Sequence, residues 1–263
     1  MSWCLLILAG CGGSTSRPTA PDSGTQSPVL STRPAELPPV LYGMFAASAD
    51  VPEAAANGGN VVLIVPSYAD DAQAVAGALR ANGKVAILSA HHVFGGPEAT
   101  WEAGWAQTLK WAEPFREMIG AVYVVDEPIG NGISKATRDR AIARVKADGY
   151  KTMVADNVEW GLIHGRAPSD YFGVTCYDWP GPGSWSLDRC REAYRTHPEW
   201  NVAIGQGFNW HHRSGSPYDQ VRAWTEIGRQ RQGVVFWVAR WPGQTGILDD
   251  PGALAAYHRG AGW

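Results

Sequence analysis

From Val40 to the end of the chain, short apolar runs alternate with longer stretches in which apolar residues recur every three or four positions. The runs are Val40–Ala46, Asn60–Pro66, Lys84–Ala90, Ala121–Asp126, Lys151–Asp156, Tyr171–Asp178, Asn201–Phe208 and Gly233–Trp241. Each is close to continuously apolar and rich in β-branched residues, as expected of strands covered on both faces. Helical spacing is clear in Asp70–Ala81, Trp101–Met118, Lys135–Asp148, Leu187–His197 and Tyr218–Gln232, and Pro251–His258 predicts a closing helix. Val51–Asn57 and Val158–His164 leave room for only a turn or two. Gly83, Gly149 and Gly233 stand where helices should stop in left-handed caps.

Eight strand–helix units predict the α/β class and a single closed parallel barrel, the (β/α)8 or TIM architecture, over residues 40–263. A doubly wound open sheet is the alternative, but eight regular units overfill its usual order. The first strand, Leu41-Tyr42-Gly43-Met44-Phe45, leads into Ala-rich sequence with no Gly-rich phosphate fingerprint.

The first 39 residues follow different rules. Leu5 to Ala9 form an apolar run too short to span a bilayer, and it ends in Leu8-Ala9-Gly10-Cys11. This resembles the signal peptide of bacterial lipoproteins, with small residues before a Cys, although Met1-Ser2-Trp3-Cys4 carries no basic residue. The resemblance implies cleavage and lipidation at Cys11, and so a cell-envelope protein held to a membrane through its lipid alone. Residues 12–39, rich in Ser, Thr, Pro and Gly, are too poor in apolar residues to offset the entropy of ordering and predict a disordered tether. With Cys4 and Cys11 so accounted for, Cys176 and Cys190 remain, either as buried thiols or as a bridge in an oxidising compartment.

A formal net charge of -3 gives no electrostatic reason to expect a nucleic-acid partner, and the reading is of a monomer. Tryptophan changes the picture, with 13 residues against 6 Phe. Part of that excess belongs in a core, and the rest calls for a surface that uses flat aromatic faces.

In a barrel of this kind the active face lies at the carboxyl ends of the strands. There the sequence places His91-His92, Asp126-Glu127-Pro128, Asp156-Asn157, Tyr177-Asp178-Trp179, Gln206, Trp210, Trp237, Arg240 and Trp241. The opposite strand ends offer mostly Gly, Lys and Asn. A carboxyl at the mouth of an apolar strand is expected to hold its proton to higher pH, which suits Glu127 as a general acid. Strict alternation sends Asp126 to the other side of the strand, as an orienting group. The structural alternative is a brace in which either carboxylate pairs with an Arg such as Arg240.

Val124-Val125-Asp126-Glu127-Pro128 resembles the strand-4 Asn-Glu-Pro motif of the large clan of retaining (β/α)8 glycoside hydrolases, with Asp for Asn. Val234-Val235-Phe236-Trp237 is similar to that clan's last strand. The resemblance implies Glu127 as acid/base, Asp126 as a contact to sugar hydroxyls and Trp237 as a sugar platform. The clan's nucleophile belongs on strand 7, where Ile204-Gly205-Gln206-Gly207-Phe208 offers Gln206 and no carboxylate. Thr175-Cys176-Tyr177-Asp178-Trp179 resembles the strand-6 segment of chitinase-like barrels, making Asp178 the leading second carboxylate and Asp156 its substitute. Val125 stands where that family needs an Asp.

Substrate contacts are expected from Trp179, Trp210, Trp237, Trp241, Tyr177, Gln206, Asn157 and Arg240, since indoles stack on the apolar faces of sugar rings. Adjacent histidines on a strand end point apart, so His91-His92 and His211-His212 predict no metal site, and no cofactor is expected. Three functions remain open. They are a glycoside hydrolase acting by carboxylate acid/base chemistry, a glycan-binding barrel without turnover, and a non-glycosidic hydrolase on the same carboxylates.

Overall fold

The computed structural model describes residues 34–176, 185–207, 217–240 and 245–262. Eight parallel strands close into a barrel in chain order: β1 (Leu41–Ala47), β2 (Val61–Val65), β3 (Val85–Ser89), β4 (Ile119–Asp126), β5 (Lys151–Asn157), β6 (Tyr171–Thr175), β7 (Ala203–Gln206) and β8 (Gly233–Trp237). The closing pair is β1 with β8, where Leu41 faces Gly233 and Met44 faces Phe236. The helices are α1 (Val51–Ala56), α2 (Ala72–Ala81), α3 (His91–Phe94), α4 (Trp101–Trp111), α5 (Lys135–Ala147), α6 (Val158–His164), α7 (Leu187–Thr196), α8 (Pro217–Arg229) and α9 (Pro251–Ala261). The two reduced spacers are the short helices α1 and α6, and Trp101–Met118 divides into α4 and a 3-10 segment, Glu113–Met118, begun at Pro114.

Alternation along the strands separates two apolar layers. Leu41, Phe45, Leu63, Ile87, Tyr123 and Met153 belong to the barrel interior. Tyr42, Val62, Leu88, Val154, Phe172 and Phe236 pack outward against the helices. Five tryptophans (Trp101, Trp105, Trp185, Trp200 and Trp224) are buried, so much of the indole excess is core. Gly233 is the one glycine the closure demands: its φ is +127, and a Cβ there would stand 1.9 Å from the Leu41 carbonyl oxygen. A side chain at that point would wedge β8 away from β1.

The barrel starts earlier than its strand pattern. Ala35 N donates to Ile119 O at 3.1 Å, and Leu37 packs against the interior cluster at the amino end of β4. Residues 34–39, expected to be part of the tether, are instead held against the barrel, because Leu37 packs its apolar side chain on the interior cluster. Cys176, directly after β6, is disulfide-bonded to Cys190 in α7, which resolves the choice between thiols and a bridge. Among the described residues no helix is long and apolar enough to cross a membrane.

Candidate functional site

The site is built around an irregularity in β4. Tyr123 pairs with Met153 of β5, and Asp126 pairs with Ala155, so three steps along β4 match two along β5. The extra residue is a bulge. Val124 and Val125 both turn to the helix side, while Tyr123 and Asp126 both face the barrel. Strict alternation, which assigned Asp126 to the far side, is thus corrected by one residue. The Tyr123 hydroxyl donates to Asp126 Oδ1 at 2.5 Å, and the Asp126 backbone N–H donates to His91 Nδ1 at 3.1 Å.

Glu127 follows in the left-handed region at φ +40, the one described non-glycine residue with positive φ. Such a conformation is costly outside glycine and persists only where surrounding contacts impose it. Here Glu127 N donates to Ala155 O at 2.9 Å, and Asn131 N donates to Glu127 O at 2.9 Å. From this turn the side chain reaches the inner face of β6, where Thr175 Oγ1 donates to Glu127 Oε1.

Burial pushes the Glu127 carboxyl above its ordinary range; the Thr175 hydrogen bond opposes this, and the neighbouring Asp126 charge adds to it. Burial likewise raises Asp126, against the pull of the Tyr123 hydroxyl. The environment therefore favours the proton-bearing form of both groups. Burial lowers both histidines at the end of β3. His91, accepting at Nδ1, carries its proton on Nε2 when neutral, whereas His92 turns to the Tyr68 hydroxyl. The two rings thus serve different partners, and among the described residues no group of three or more His, Cys, Asp or Glu is placed to hold a metal ion.

The remaining expected residues divide. Gln206, fully buried at the end of β7, pairs in register with Trp237 at the end of β8, and both stand two residues beyond interior positions, Ile204 and Val235. Trp237 packs edge-on against Phe45 with centroids 4.6 Å apart, and its peptide bond to Val238 is cis. Asn157 is used locally: its Oδ1 accepts the Glu159 N–H at 3.0 Å and caps α6. Arg240 binds three carboxylates, Asp50 at 3.1 Å, Glu53 at 2.7 Å and Asp249 at 3.1 Å, and so braces the rim between β1 and the last helix.

Asp156 is directed away from the mouth. It lies outside the barrel wall, 3.7 Å from the Arg138 guanidinium of α5, and accepts the Asn157 N–H at 3.0 Å. Burial, partly offset by that N–H and by Arg138, raises its carboxyl to about 6. Asp178, Tyr177, Trp179, Trp210, Trp241 and Cys11 lie outside the described residues. Thr175 is the partner that motif reading passed over. Its place on the polar phase of β6, opposite Phe172 and Val174, was the available sign.

Fold and strand-end residues together define a (β/α)8 barrel with a paired carboxylate at β4 and an aromatic at β8. No protein-family model matches the chain, and no curated protein matches it in sequence. Solved structures share its fold. The chain is similar to the Ignisphaera aggregans GH53 catalytic domain, with 14% identity over 88% of this chain and 97% of that one and a TM-score of 0.58. It is similar to the mannanase catalytic domain from Streptomyces sp. SirexAA-E, at 14% identity, 90% and 91% coverage and a TM-score of 0.55. A Thermobacillus composti GH10 xylanase aligns at 15% identity over 76% of this chain and 84% of its own, with a TM-score of 0.51. The shared feature is the architecture, a closed eight-stranded parallel barrel.

Proposed function

We propose that this barrel is a glycan-acting hydrolase of the cell envelope, with Glu127 as its general acid. The observation that carries the reading is the bulge and left-handed turn that bring Glu127 and Asp126 together on the inner side of β4, where burial raises the Glu127 carboxyl above its ordinary range. Glu127 would donate its proton to the glycosidic oxygen as the bond to the anomeric carbon breaks. Gln206 cannot form a glycosyl ester, so the incoming group is water, deprotonated by a second carboxylate for which Asp178 is the candidate. Trp237 supplies an aromatic floor beside Gln206. The names of the structural neighbours, a xylanase and a mannanase, support a polysaccharide as the substrate class.

Export and lipidation at Cys11 complete the proposal, and the Cys176–Cys190 disulfide supports an oxidising compartment. The test is reducing-sugar release by the purified protein on envelope and plant polysaccharides, with Glu127→Gln alongside. Release that disappears in the variant supports the acid role; equal release by both proteins refutes it. Gln206 favours a second reading, a barrel that captures glycan without cleaving it, for which the same assay gives binding without release.

A further inference from the structure

Trp160, Leu162 and Ile163 of α6 are 36%, 42% and 69% exposed, and they are half of the six large apolar side chains left exposed among the described residues. The helix starts at the Asn157 cap and is stopped by Gly165 at φ +66, so its seven residues stay near the carboxyl end of β5. Residues four apart share a helix face. The Trp160 ring accordingly stacks on the His164 ring, with centroids 5.3 Å apart and planes 17° from parallel. That stack fixes the indole plane and leaves about a third of the side chain open.

The indole edge meets the turn that carries Glu127. A Cβ built on Gly130 would stand 3.6 Å from the Glu127 carbonyl oxygen and 3.6 Å from Trp160 Cδ1, so Gly130 is the common neighbour of both residues. Asn131, next in the same turn, donates through Nδ2 to the Asp126 carbonyl oxygen at 3.0 Å. The Glu127 backbone, the glycine turn and the indole are therefore contiguous on the β5 side of the rim.

We infer that Trp160 is an outer sugar platform, stacking on a ring of a glycan chain that leaves Glu127 across Gly130. The inference rests on the glycan reading above and extends it: the ligand is a chain long enough to reach the rim. A flat indole, already held on one face, offers its remaining surface to the C–H face of a pyranose at little cost in side-chain freedom. A protein or bilayer contact would instead draw on Leu162 and Ile163, the more exposed pair.

Affinity electrophoresis of the full-length protein in gels containing soluble xylan, mannan or peptidoglycan fragments tests the inference, with cleavage of each polymer followed in parallel. The expectation is retardation of the wild type by at least one polymer. Affinity should fall about threefold or more in Trp160→Leu, survive in Trp160→Tyr and be unchanged in Ile163→Ser. Trp160→Leu binding like the wild type overturns the platform and leaves the glycan reading standing. Equal loss in Ile163→Ser, or loss in Trp160→Tyr as severe as in Trp160→Leu, also overturns it, since planarity at this one residue would not be what matters. Neither binding nor cleavage of any polymer by the wild type overturns both readings.

Discussion

Removing the Arg138 guanidinium should destabilise the barrel strongly at neutral pH and weakly in acid. Arg138 is 0% exposed and Asp156 1% exposed, so water screens neither charge. The guanidinium reaches Asp156 at 3.7 Å and Asp139 at 2.9 Å, but its two terminal nitrogens make no well-directed hydrogen bond, which leaves the pair dependent on charge alone. Stripping one partner from a buried pair costs about 3–5 kcal/mol, because the other charge is stranded. For a domain of this size that corresponds to a drop of roughly 6–20 °C in the apparent Tm.

The sign of the pH dependence follows from Asp156. Its folded value, about 6, lies above the unfolded one. An unfolded Asp titrates near about 3.9, so the stability this group contributes is complete below about pH 4 and is lost as pH rises through about 6. Arg138→Met removes an attraction that favours the carboxylate, which pushes the folded value further up and prolongs the loss into the neutral range. Urea unfolding of wild type and variant at pH 7.5 and 4.5 should therefore show a gap at least twice as large at the higher pH. Adding Asp156→Asn, which keeps an acceptor for the Asn157 N–H but carries no charge, should recover most of the loss. An equal gap at both pH values, or a loss below about 1 kcal/mol at pH 7.5, would refute the account.

Thr175→Val deletes the donor that favours the Glu127 carboxylate, so the Glu127 carboxyl should hold its proton to higher pH and the alkaline limb of any pH–activity profile should move up with it. A limb that stays in place or moves down contradicts the geometry. Cys11→Ala should abolish incorporation of radiolabelled palmitate into the expressed protein while leaving its circular dichroism unchanged, and persistent labelling would remove the proposed anchor.

Much of the architecture is local in origin and so could be read from the chain alone. Helix α6 spans Val158–His164, as its spacing predicts, because helix periodicity and the Asn157 cap are properties of neighbouring residues. The eight strands and their order follow from eight repeats of one unit, since parallel neighbours with short connections can close only in sequence. The strand-end enrichment that singled out Glu127, Gln206 and Trp237 has the same origin, for Gln206 and Trp237 end their strands and Glu127 directly follows β4.

Tertiary structure decided where the side chains at those ends point. The β4 bulge exists only against β5, so nothing within Val122–Asp126 reveals that Val124 and Val125 share a face and that Asp126 turns inward. Asp156 and Asp126 look alike as strand-end acids, yet one is drawn outside the wall by Arg138 of α5 and the other is held inside by Tyr123. Arg240 found Asp50, a residue 190 positions away, only because closing the barrel sets β8 beside β1. Alternation and capping act over a few residues and are written in the sequence. Register, partner choice and burial arise from contacts between segments, and it is these that set the charge state of each carboxyl at the mouth.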